Sequence, residues 1–340
     1  IAAALQVNGR ANWLRVARAV GSSESTVARR AQRMIDGGEI RVVAVADPIE
    51  CGFGYPILVQ LKCEVGEASR VAHVLAERSD VRFLALVTGT FDIVMEIIVP
   101  SRRYLAGVLL EEIPRVGGIK ETATETVLRN FKMSYDWSRD LLGNASDMLE
   151  PSPRVQDNSV IKSYTLDTVD LRLYELLRED GRRSFSELAS IVGVSESMVR
   201  RRVDALRERG GLRFATLLEP YLLGYDVECF CWIRVDLSQL EQAARTLAAQ
   251  REIRYLSATI GHSDLICETI LHSQDDFYEF STKTLGRLPG VHSVDVGLEL
   301  QTVKRAYVRM TTPDDTGARI ANGVNERITK SERNVGELGT

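Results

Sequence analysis

The sequence predicts an α+β protein with two winged-helix-like helix-turn-helix domains and two ferredoxin-like βαββαβ domains in tandem. The first observation is an internal repeat, because residues 9–92 match residues 181–264 without a gap at a spacing of 172. The second is that each copy begins with helical periodicity and continues with alternating strands and helices. We call the helical part of each copy a head and the rest a body. A function assigned to one copy must therefore be compatible with the presence of a second, diverged copy in the same chain.

Each head is predicted to contain three helices. In copy two, Asp167, Ser184 and Ser195 are suitable N-caps, because their short side chains accept hydrogen bonds from the first helical turn. Gly193 makes the turn between the second and third helices, and a Gly-Gly pair at 210–211 ends the third. Copy one repeats the pattern with Asn12, Gly21, Ser23 and Gly37-Gly38.

Each head leads through a short β-rich stretch, at 40–46 and 212–218, into a body with the order β-α-β-β-α-β. In copy one, strands are predicted at 57–63, 81–87, 93–99 and 116–131, and helices at 68–78 and 102–112. In copy two, strands are predicted at 227–235, 253–260, 265–271 and 291–307, and helices at 237–250 and 274–288. A three-residue insertion aligns Pro114 with Pro289, and the same shift pairs Thr124 with Glu299 and Thr126 with Gln301.

The chain divides into six segments. They are head one (1–47), body one (48–142), a linker rich in Asn, Ser, Pro and Asp (143–163), head two (164–219), body two (220–310) and a polar tail (311–340). We expect the tail to be mostly disordered. The chain begins at Ile1, inside a segment that matches the middle of a helix in copy two, so we expect further residues to precede it.

Composition is that of a globular protein, with 44% hydrophobic and 26% charged residues. The net charge of −4 argues against a protein that simply coats nucleic acid, but it allows a local basic surface. We find no membrane span or secretory signal and expect a cytoplasmic protein. The five cysteines and four histidines lack metal-ligand spacing, so we predict reduced core thiols and no metal or cofactor. The cysteines are Cys51, Cys63, Cys229, Cys231 and Cys267.

The third helix of each head is a candidate DNA-reading helix. In copy two, Val199, Val203 and Leu206 recur at helical spacing and pin one face of it to the head, so the opposite face is free to enter a major groove. Arginine suits this task, because its planar guanidinium group can donate two hydrogen bonds to a guanine edge or bind a phosphate. The candidates on the free face are Ser25, Thr26, Arg29 and Arg33 in copy one and Ser197, Met198, Arg200 and Arg201 in copy two.

Two further arginines, Arg30 and Arg202, lie beside the buried face and are either phosphate contacts or intramolecular salt-bridge residues. The two heads also differ in charge. Residues 195–213 hold six arginines against three acids, whereas 23–41 hold four against three, so we expect head two to bind phosphate more strongly.

A Gly-x-x-Asp turn follows the second strand of each body. It contains Gly89, Thr90, Phe91 and Asp92 in copy one and Gly261, His262, Ser263 and Asp264 in copy two. Locally, glycine supplies a positive φ and aspartate caps a hairpin. His262 is either a merely exposed turn residue or a ligand-contacting, pH-sensitive one.

The combination of a helix-turn-helix, a β-linker and a ferredoxin-like body with this turn resembles the Lrp/AsnC family of feast/famine transcriptional regulators. The resemblance covers residues 1–310, apart from the linker. It implies double-stranded DNA as a partner, self-association of the bodies through their sheets, and a small effector, often an amino acid, near the turn. The implied effector residues are the two turns, with Thr124 and Thr126 in copy one and Glu299 and Gln301 in copy two.

In such a site, glycine N–H groups and hydroxyls can hold a carboxylate while Asp92 holds an ammonium. Glu299 puts an acid where copy one has a hydroxyl, so the two copies are expected to differ in effector. The chain also departs from the usual member of the family, which carries one head and one body. Here one chain supplies both halves of a pseudo-dimer, and the covalent link gives the second head a high effective concentration on DNA.

Two other interpretations stay open. Relatives of this fold built from paired AsnC-like units decarboxylate tetrapyrroles with histidine- and arginine-rich sites, whereas His73, His262, His272 and His292 are scattered along this sequence. The other alternative is a DNA-packaging protein with little sequence preference, for which binding to one promoter would be no tighter than to random DNA.

Overall fold

The computed structural model describes residues 1–149 and 166–310. Head one contains α1 (Ala2–Val7), α2 (Trp13–Val20) and α3 (Glu24–Asp36), followed by strand β1 (Ile40–Ala46). Body one contains β2 (Tyr55–Cys63), α4 (Ala68–Ala76), β3 (Val81–Val87), β4 (Ile93–Val99), α5 (Arg102–Gly107) and β5 (Ile119–Met133). The helix α5 continues as a π-helical turn, Val108–Glu112, and a 3-10 turn, Ile113–Val116.

Copy two repeats this plan. Head two contains α6 (Thr168–Glu179), α7 (Phe185–Val192) and α8 (Glu196–Glu208), followed by β6 (Leu212–Leu218). Body two contains β7 (Val227–Val235), α9 (Leu240–Ala248), β8 (Ile253–Ile260), β9 (Leu265–Leu271), α10 (Gln274–Lys283), β10 (Val291–Arg305) and the short β11 (Val308–Arg309). The predicted α+β fold class is confirmed.

The helix ends in the heads have the capping chemistry that the sequence predicts. Ser23 and Ser195 accept hydrogen bonds from the backbone N–H of Thr26 and Met198, each three residues later. Gly21 ends α2 in the left-handed conformation at φ 63°, and its equivalent in copy two does the same for α7. These caps fix where each recognition helix begins.

The eight long body strands close into one ring. Body one has the strand order β3-β4-β2-β5 and body two the order β8-β9-β7-β10, which is the ferredoxin-like order in each case. The copies join twice, because β5 pairs with β8 and β10 pairs with β3. All these pairings are antiparallel, and closure leaves neither body with a free long sheet edge. A separate two-stranded ribbon, β1 with β6, joins the heads.

Apolar cores of several kinds hold the described part of the molecule together. The helices of each body cover the outer face of the ring, and the buried cysteines lie mainly here as free thiols. Each head has its own core around its three helices. A smaller cluster fills the inside of the ring and includes Leu58, Val127, Phe230 and Trp232. The inside of the ring also buries charged side chains, among them Arg82, Glu96, Arg254 and Glu268.

The last strands correct one sequence alignment. They span Ile119–Met133 and Val291–Arg305, so the spacing of 172 holds to the end of both bodies, and the shift that aligned Pro114 with Pro289 is wrong beyond the second helix. Thr124 lies opposite Val59, and the equivalent position in copy two is Val296, opposite Cys231. Because side chains alternate along a strand, a shift of three residues moves every residue to the opposite face. Glu299 is therefore not the counterpart of Thr124.

Residues 139–148 fold as a 3-10 segment instead of the beginning of a linker. Leu142, Ala145 and Leu149 pack into the core of head one, because the apolar side chains of this stretch fit beside α1 and α2. The remainder of the predicted linker, 150–163, and the predicted disordered tail, 311–340, lie outside the described residues. Among the described helices, none combines the length and the apolar character that crossing a membrane requires.

Candidate DNA-binding surface and effector sites

The recognition helices α3 and α8 expose the predicted faces. Val27 and Ala31 bury one side of α3, and Val199, Val203 and Leu206 bury one side of α8. The predicted residues that are exposed are Ser25, Arg29, Arg30, Arg33, Ser197, Arg200 and Arg201, while Thr26, Met198 and Arg202 are half-buried. Apart from Arg33, which lies in the last turn of α3, the exposed residues lie in the N-terminal half of each helix, which is the part that enters a major groove.

Internal pairing reduces the basic excess of head two. Arg202 donates to Asp167 at 2.7 Å and to Asp170 at 2.8 Å, which favours the intramolecular salt-bridge alternative for this residue. These carboxylates, Asp170 first, raise the pKa of Arg202. Arg200 donates to Glu196 at 3.2 Å and stacks on Phe185.

The remaining arginines of the two faces are available for a partner. In the part of the chain that the structure describes, Arg29, Arg30, Arg33 and Arg201 form no ion pair with a carboxylate. Head one therefore presents three such arginines and head two presents one, together with the partly engaged Arg200. Counted by the arginines of the two faces that are unpaired among the described residues, the order of the heads is the reverse of the order that the charge count predicts.

Each Gly-x-x-Asp turn contacts the last strand of the other copy. We define turn site two as the turn of copy two with Gln60, Thr124 and Glu125 of copy one. Ser263 Oγ donates to Glu125 Oε2 at 2.7 Å, and Gln60 Nε2 donates to Glu125 Oε1 at 3.1 Å. Both Gln60 and Glu125 are fully buried. A methyl group on Gly261 would lie 2.8 Å from the Thr124 carbonyl oxygen, so this approach of the two copies requires glycine.

Turn site one is the turn of copy one with Asp295, Gly297 and Trp232 of copy two. Thr90 Oγ1 donates to Asp295 Oδ2 at 2.8 Å, and the ring of Phe91 lies 6.3 Å from that of Trp232. Trp232 and Gly297 occupy the positions that Gln60 and Glu125 occupy in copy one. Turn site two therefore contains a buried polar network where turn site one has an aromatic contact, so the two sites are chemically different.

The two turn aspartates have a structural partner. Asp92 Oδ2 accepts a hydrogen bond from Cys63 N at 2.7 Å, and Asp264 Oδ2 accepts one from Val235 N at 2.9 Å. Each carboxylate thus ties the turn to the end of the first body strand. This is the capping role that local chemistry predicts, and it uses one oxygen of each carboxylate.

The structure separates some residues that the sequence grouped. Thr124 and Thr126 lie beside the copy-two turn, where Thr126 pairs with Ile260, and not beside Gly89. Gln301 pairs with Leu86 on the opposite side of the ring. His262 is exposed, and its backbone oxygen accepts a hydrogen bond from Arg234 at 2.9 Å. Glu125 and Asp295 were missed, although an acid inside an alternating strand pattern signals an inward-facing polar group.

Glu299 belongs to a buried ion network. Its carboxylate lies 3.4 Å from Arg305 and 3.6 Å from Arg254 and accepts a short hydrogen bond from Thr302. Burial first, and then Glu228 and Glu268, raises the pKa of Glu299 well above its usual range. Three carboxylates converge here, but two guanidinium groups occupy the space between them, so the residues suit an ion network better than a cation site.

Comparison with known proteins matches all four domains. The AsnC-type helix-turn-helix domain matches residues 1–35 and 166–207, and the Lrp/AsnC ligand binding domain matches residues 57–137 and 228–308. A similar protein is an uncharacterised HTH-type transcriptional regulator of Pyrococcus furiosus, 34% identical over 43% of this chain and 99% of its own. Another is the leucine-responsive regulatory protein of Rhizobium meliloti, 32% identical over 42% of this chain and 93% of its own.

One solved structure is similar along nearly the whole chain. The siroheme decarboxylase NirDL is 15% identical, with a TM-score of 0.58 over 93% of both chains. At this identity the likeness shows a shared fold.

Proposed function

The chain belongs to the Lrp/AsnC family of transcriptional regulators, and from this premise we propose that it is a sequence-specific DNA-binding regulator whose two heads bind one asymmetric operator. The observation that carries the proposal is the pair of exposed recognition faces on α3 and α8, joined by the β1–β6 ribbon. One chain thereby holds two reading helices in a defined relation. The two faces share a serine and an arginine, since Ser25 and Arg29 are equivalent to Ser197 and Arg201, but Ala28 of head one is replaced by Arg200 in head two. Because of this difference the two half-sites differ. A regulator of chromosomal genes acts in the cytoplasm.

A small metabolite, amino-acid-like in its chemistry, modulates this binding from the turn sites. The turns join the two copies, so a ligand there changes how the bodies pair and, through the ribbon, how the heads are held. The different chemistry of the sites, Glu125 with Gln60 at one and Trp232 with Asp295 at the other, supports an effector response from only one of them. Further pairing of chains through the bodies is part of the same proposal.

Genomic footprinting followed by quantitative binding to the recovered site tests the proposal. We expect the operator to bind at least a thousandfold more tightly than random DNA at physiological salt. Substituting both Arg29 and Arg201 by alanine should abolish that preference, whereas Arg103→Ala, on the exposed face of α5 in body one, should leave it intact. Equal affinity for operator and random DNA would identify a packaging protein instead.

The second candidate function is a tetrapyrrole decarboxylase, which is the kind of activity for which NirDL is named. The observation in its favour is a cavity of about 500 Å³ beside body two, where four basic side chains, Lys132, Arg139, Arg213 and Arg251, outnumber the two acidic ones, Asp136 and Asp140. A neighbouring cavity of about 250 Å³ contains His272, whose ring stacks on Tyr225. Basic side chains suit a polycarboxylate ligand. A visible absorption band that appears on mixing with an iron tetrapyrrole, and is lost in Arg251→Ala, would favour the enzyme.

A further inference from the structure

A cavity of about 80 Å³ lies between the β-ring and the ribbon that joins the heads. Pairs of equivalent residues from the two copies contribute to its wall, namely Arg82 with Arg254, Glu96 with Glu268 and Leu58 with Phe230. Thr216, Leu217 and Leu218 of β6 contribute the side toward the heads. An occupant of this cavity therefore touches both the ring and the ribbon. None of the residues at the two turn sites lines it.

Two buried polar atoms at the wall make no hydrogen bond of normal geometry with the residues that the structure describes. Glu96 is 4% exposed, and its Oε2 pairs with Arg82 at 2.5 Å, but its Oε1 makes no hydrogen bond with the described residues. The hydroxyl of Tyr255 is also buried without a hydrogen bond of normal geometry among the described residues. Arg82 Nη1 has as its partner the sulfur of Met133, a weak acceptor, at 3.6 Å. A buried polar atom left unpaired costs free energy, so these three groups favour an occupant that pairs with them.

The charges of the wall indicate a ligand without net charge. Arg82 pairs with Glu96, and Arg254 pairs with Glu228 at 2.7 Å and closely with Glu268. Arg305 lies 2.9 Å from Glu268. Three guanidinium groups thus pair with three carboxylates, and Glu299, whose carboxyl pKa is raised by burial, does not line the cavity. A ligand with a net charge would leave that charge uncompensated in a buried site.

We propose that this cavity binds a small, net-neutral molecule with a hydrogen-bond donor at one end and an acceptor at the other. The donor pairs with Glu96 Oε1, and the acceptor pairs with Arg82 Nη1 and the Tyr255 hydroxyl. A volume of about 80 Å³ holds two to three water molecules at roughly 30 Å³ each, or about five non-hydrogen atoms. Primary amides and the smallest zwitterions have this size and polarity.

Calorimetric titration of the full chain tests the inference, with acetamide and glycine as net-neutral probes and acetate and methylammonium as charged fragments of similar size. Ligands of five atoms bind no more tightly than the micromolar range, so millimolar probe concentrations are appropriate. We expect one saturable site for a neutral probe and weaker binding of both charged probes. Absence of saturable binding by either neutral probe would overturn the inference and leave water as the occupant.

Two variants locate the binding. Tyr255→Phe removes the unpaired hydroxyl, and the equivalent residue in copy one is Phe83, so the ring tolerates phenylalanine there. We expect this variant to bind the neutral probe about fivefold to tenfold more weakly, because one hydrogen bond is lost. The matched control is Tyr174→Phe, which removes a buried hydroxyl without a normal partner from the core of head two, away from the cavity.

The second variant is Leu58→Phe, which fills the cavity with the residue that copy two carries as Phe230 and should abolish binding. Binding that is unchanged in both Tyr255→Phe and Leu58→Phe would place the probe elsewhere and overturn the inference. Failure of this inference can be distinguished from failure of the proposed function. Operator recognition is measured with Arg29→Ala and Arg201→Ala in the absence of any probe, whereas the cavity is tested by probe binding in the absence of DNA.

Discussion

Arg10 and Arg182 are equivalent residues of the two copies, and each donates hydrogen bonds to the loop that contains the other. Arg10 Nη1 lies 2.5 Å from the Gly181 carbonyl oxygen, and Arg182 Nη1 lies 2.5 Å from that of Gly9. The guanidinium groups also stack reciprocally, Arg10 on Phe185 at 4.8 Å and Arg182 on Trp13 at 3.9 Å. Burial lowers the pKa of Arg10 to about 10. This exchange joins the two heads directly, beside the β1–β6 ribbon.

Arg10→Ala should loosen this connection. We expect the free energy of unfolding to fall by about 2 kcal/mol, because hydrogen bonds from a charged donor are lost and carbonyl oxygens are left unpaired. Affinity for DNA with two half-sites should fall toward that for a single half-site, since the second head is no longer held in position. Urea unfolding and fluorescence anisotropy measure the two effects. Arg103→Ala is the control on an exposed helix, and an equal affinity loss in that variant would contradict the explanation.

Arg201→Ala and Arg202→Ala separate DNA contact from internal pairing. Arg201 is exposed, so its loss should weaken binding and reduce the slope of log K against log salt by about 1. Arg202 is held by Asp167 and Asp170, so its loss should lower the Tm of head two and leave the slope unchanged. Gel-shift titrations at several salt concentrations measure the slope. A reduced slope in Arg202→Ala would show that this residue contacts phosphate.

The same ion pairs also affect the relative DNA affinity of the two heads. The arginine count predicts a larger affinity loss for Arg201→Ala than for Arg29→Ala. In head two, however, Arg200 is paired with Glu196 and Arg202 with two aspartates, so these arginines add less to DNA binding than the count assumes. The contacts therefore predict that the two variants lose a similar amount of DNA affinity. A side-by-side titration of the two variants on one operator decides between these expectations, because only a loss at least threefold larger for Arg201→Ala supports the charge count.

Local features of this fold could be predicted from the sequence. Ser23, Ser195 and Asp167 cap their helices as expected, and the strands 40–46 and 212–218 have the predicted bounds, because caps and strand ends depend on neighbouring residues. The predicted ends of the second helix in each body were less accurate. The predicted helix over 102–112 becomes a π-helical turn after Gly107, where packing overrides propensity.

Contacts between the copies could not be predicted in the same way. The turn that contains Gly89 approaches Gly297 of copy two, and the turn that contains Gly261 approaches Thr124 of copy one. Nothing local in the sequence specifies which strand edges pair once the ring closes. The wrong placement of Glu299 also has a physical cause. A shift by three residues along a strand reverses the two faces, so a carboxyl of the buried network was assigned to the turn site.

Asp92→Asn distinguishes an effector contact from a hairpin cap. The amide oxygen can still accept the hydrogen bond from Cys63 N, so stability should change by less than about 1 kcal/mol. The negative charge that would hold an ammonium is lost, and the effect of an amino acid on DNA affinity should disappear. Gel-shift titrations with a panel of the standard amino acids measure the response. Asp236→Asn, at an exposed aspartate that pairs with His292, is the control. An unchanged response in Asp92→Asn would leave this residue a cap alone.

Glu299→Gln should change how stability depends on pH. Burial, with Glu228 and Glu268 nearby, raises the pKa of Glu299 in the folded protein. Below the unfolded pKa, both states hold the proton and the residue has no effect on stability. Above it, the unfolded carboxyl loses the proton while the folded one keeps it, so the free energy of unfolding falls by about 1.4 kcal/mol per pH unit until the folded pKa is reached. The amide keeps an acceptor for Thr302 and removes this slope.

The measurement is urea unfolding of the wild type and Glu299→Gln between about pH 5 and pH 8, a window that begins above the ordinary carboxyl pKa. We expect the variant to be the more stable at the upper end and the difference to shrink toward the lower end. Glu121→Gln, at an exposed carboxylate on β5, should follow the wild type throughout. Because the substitution changes no other ionisable group of the network, Glu299→Gln isolates one proton. Parallel curves for the variant and the wild type would show that Glu299 is ionised in the folded protein.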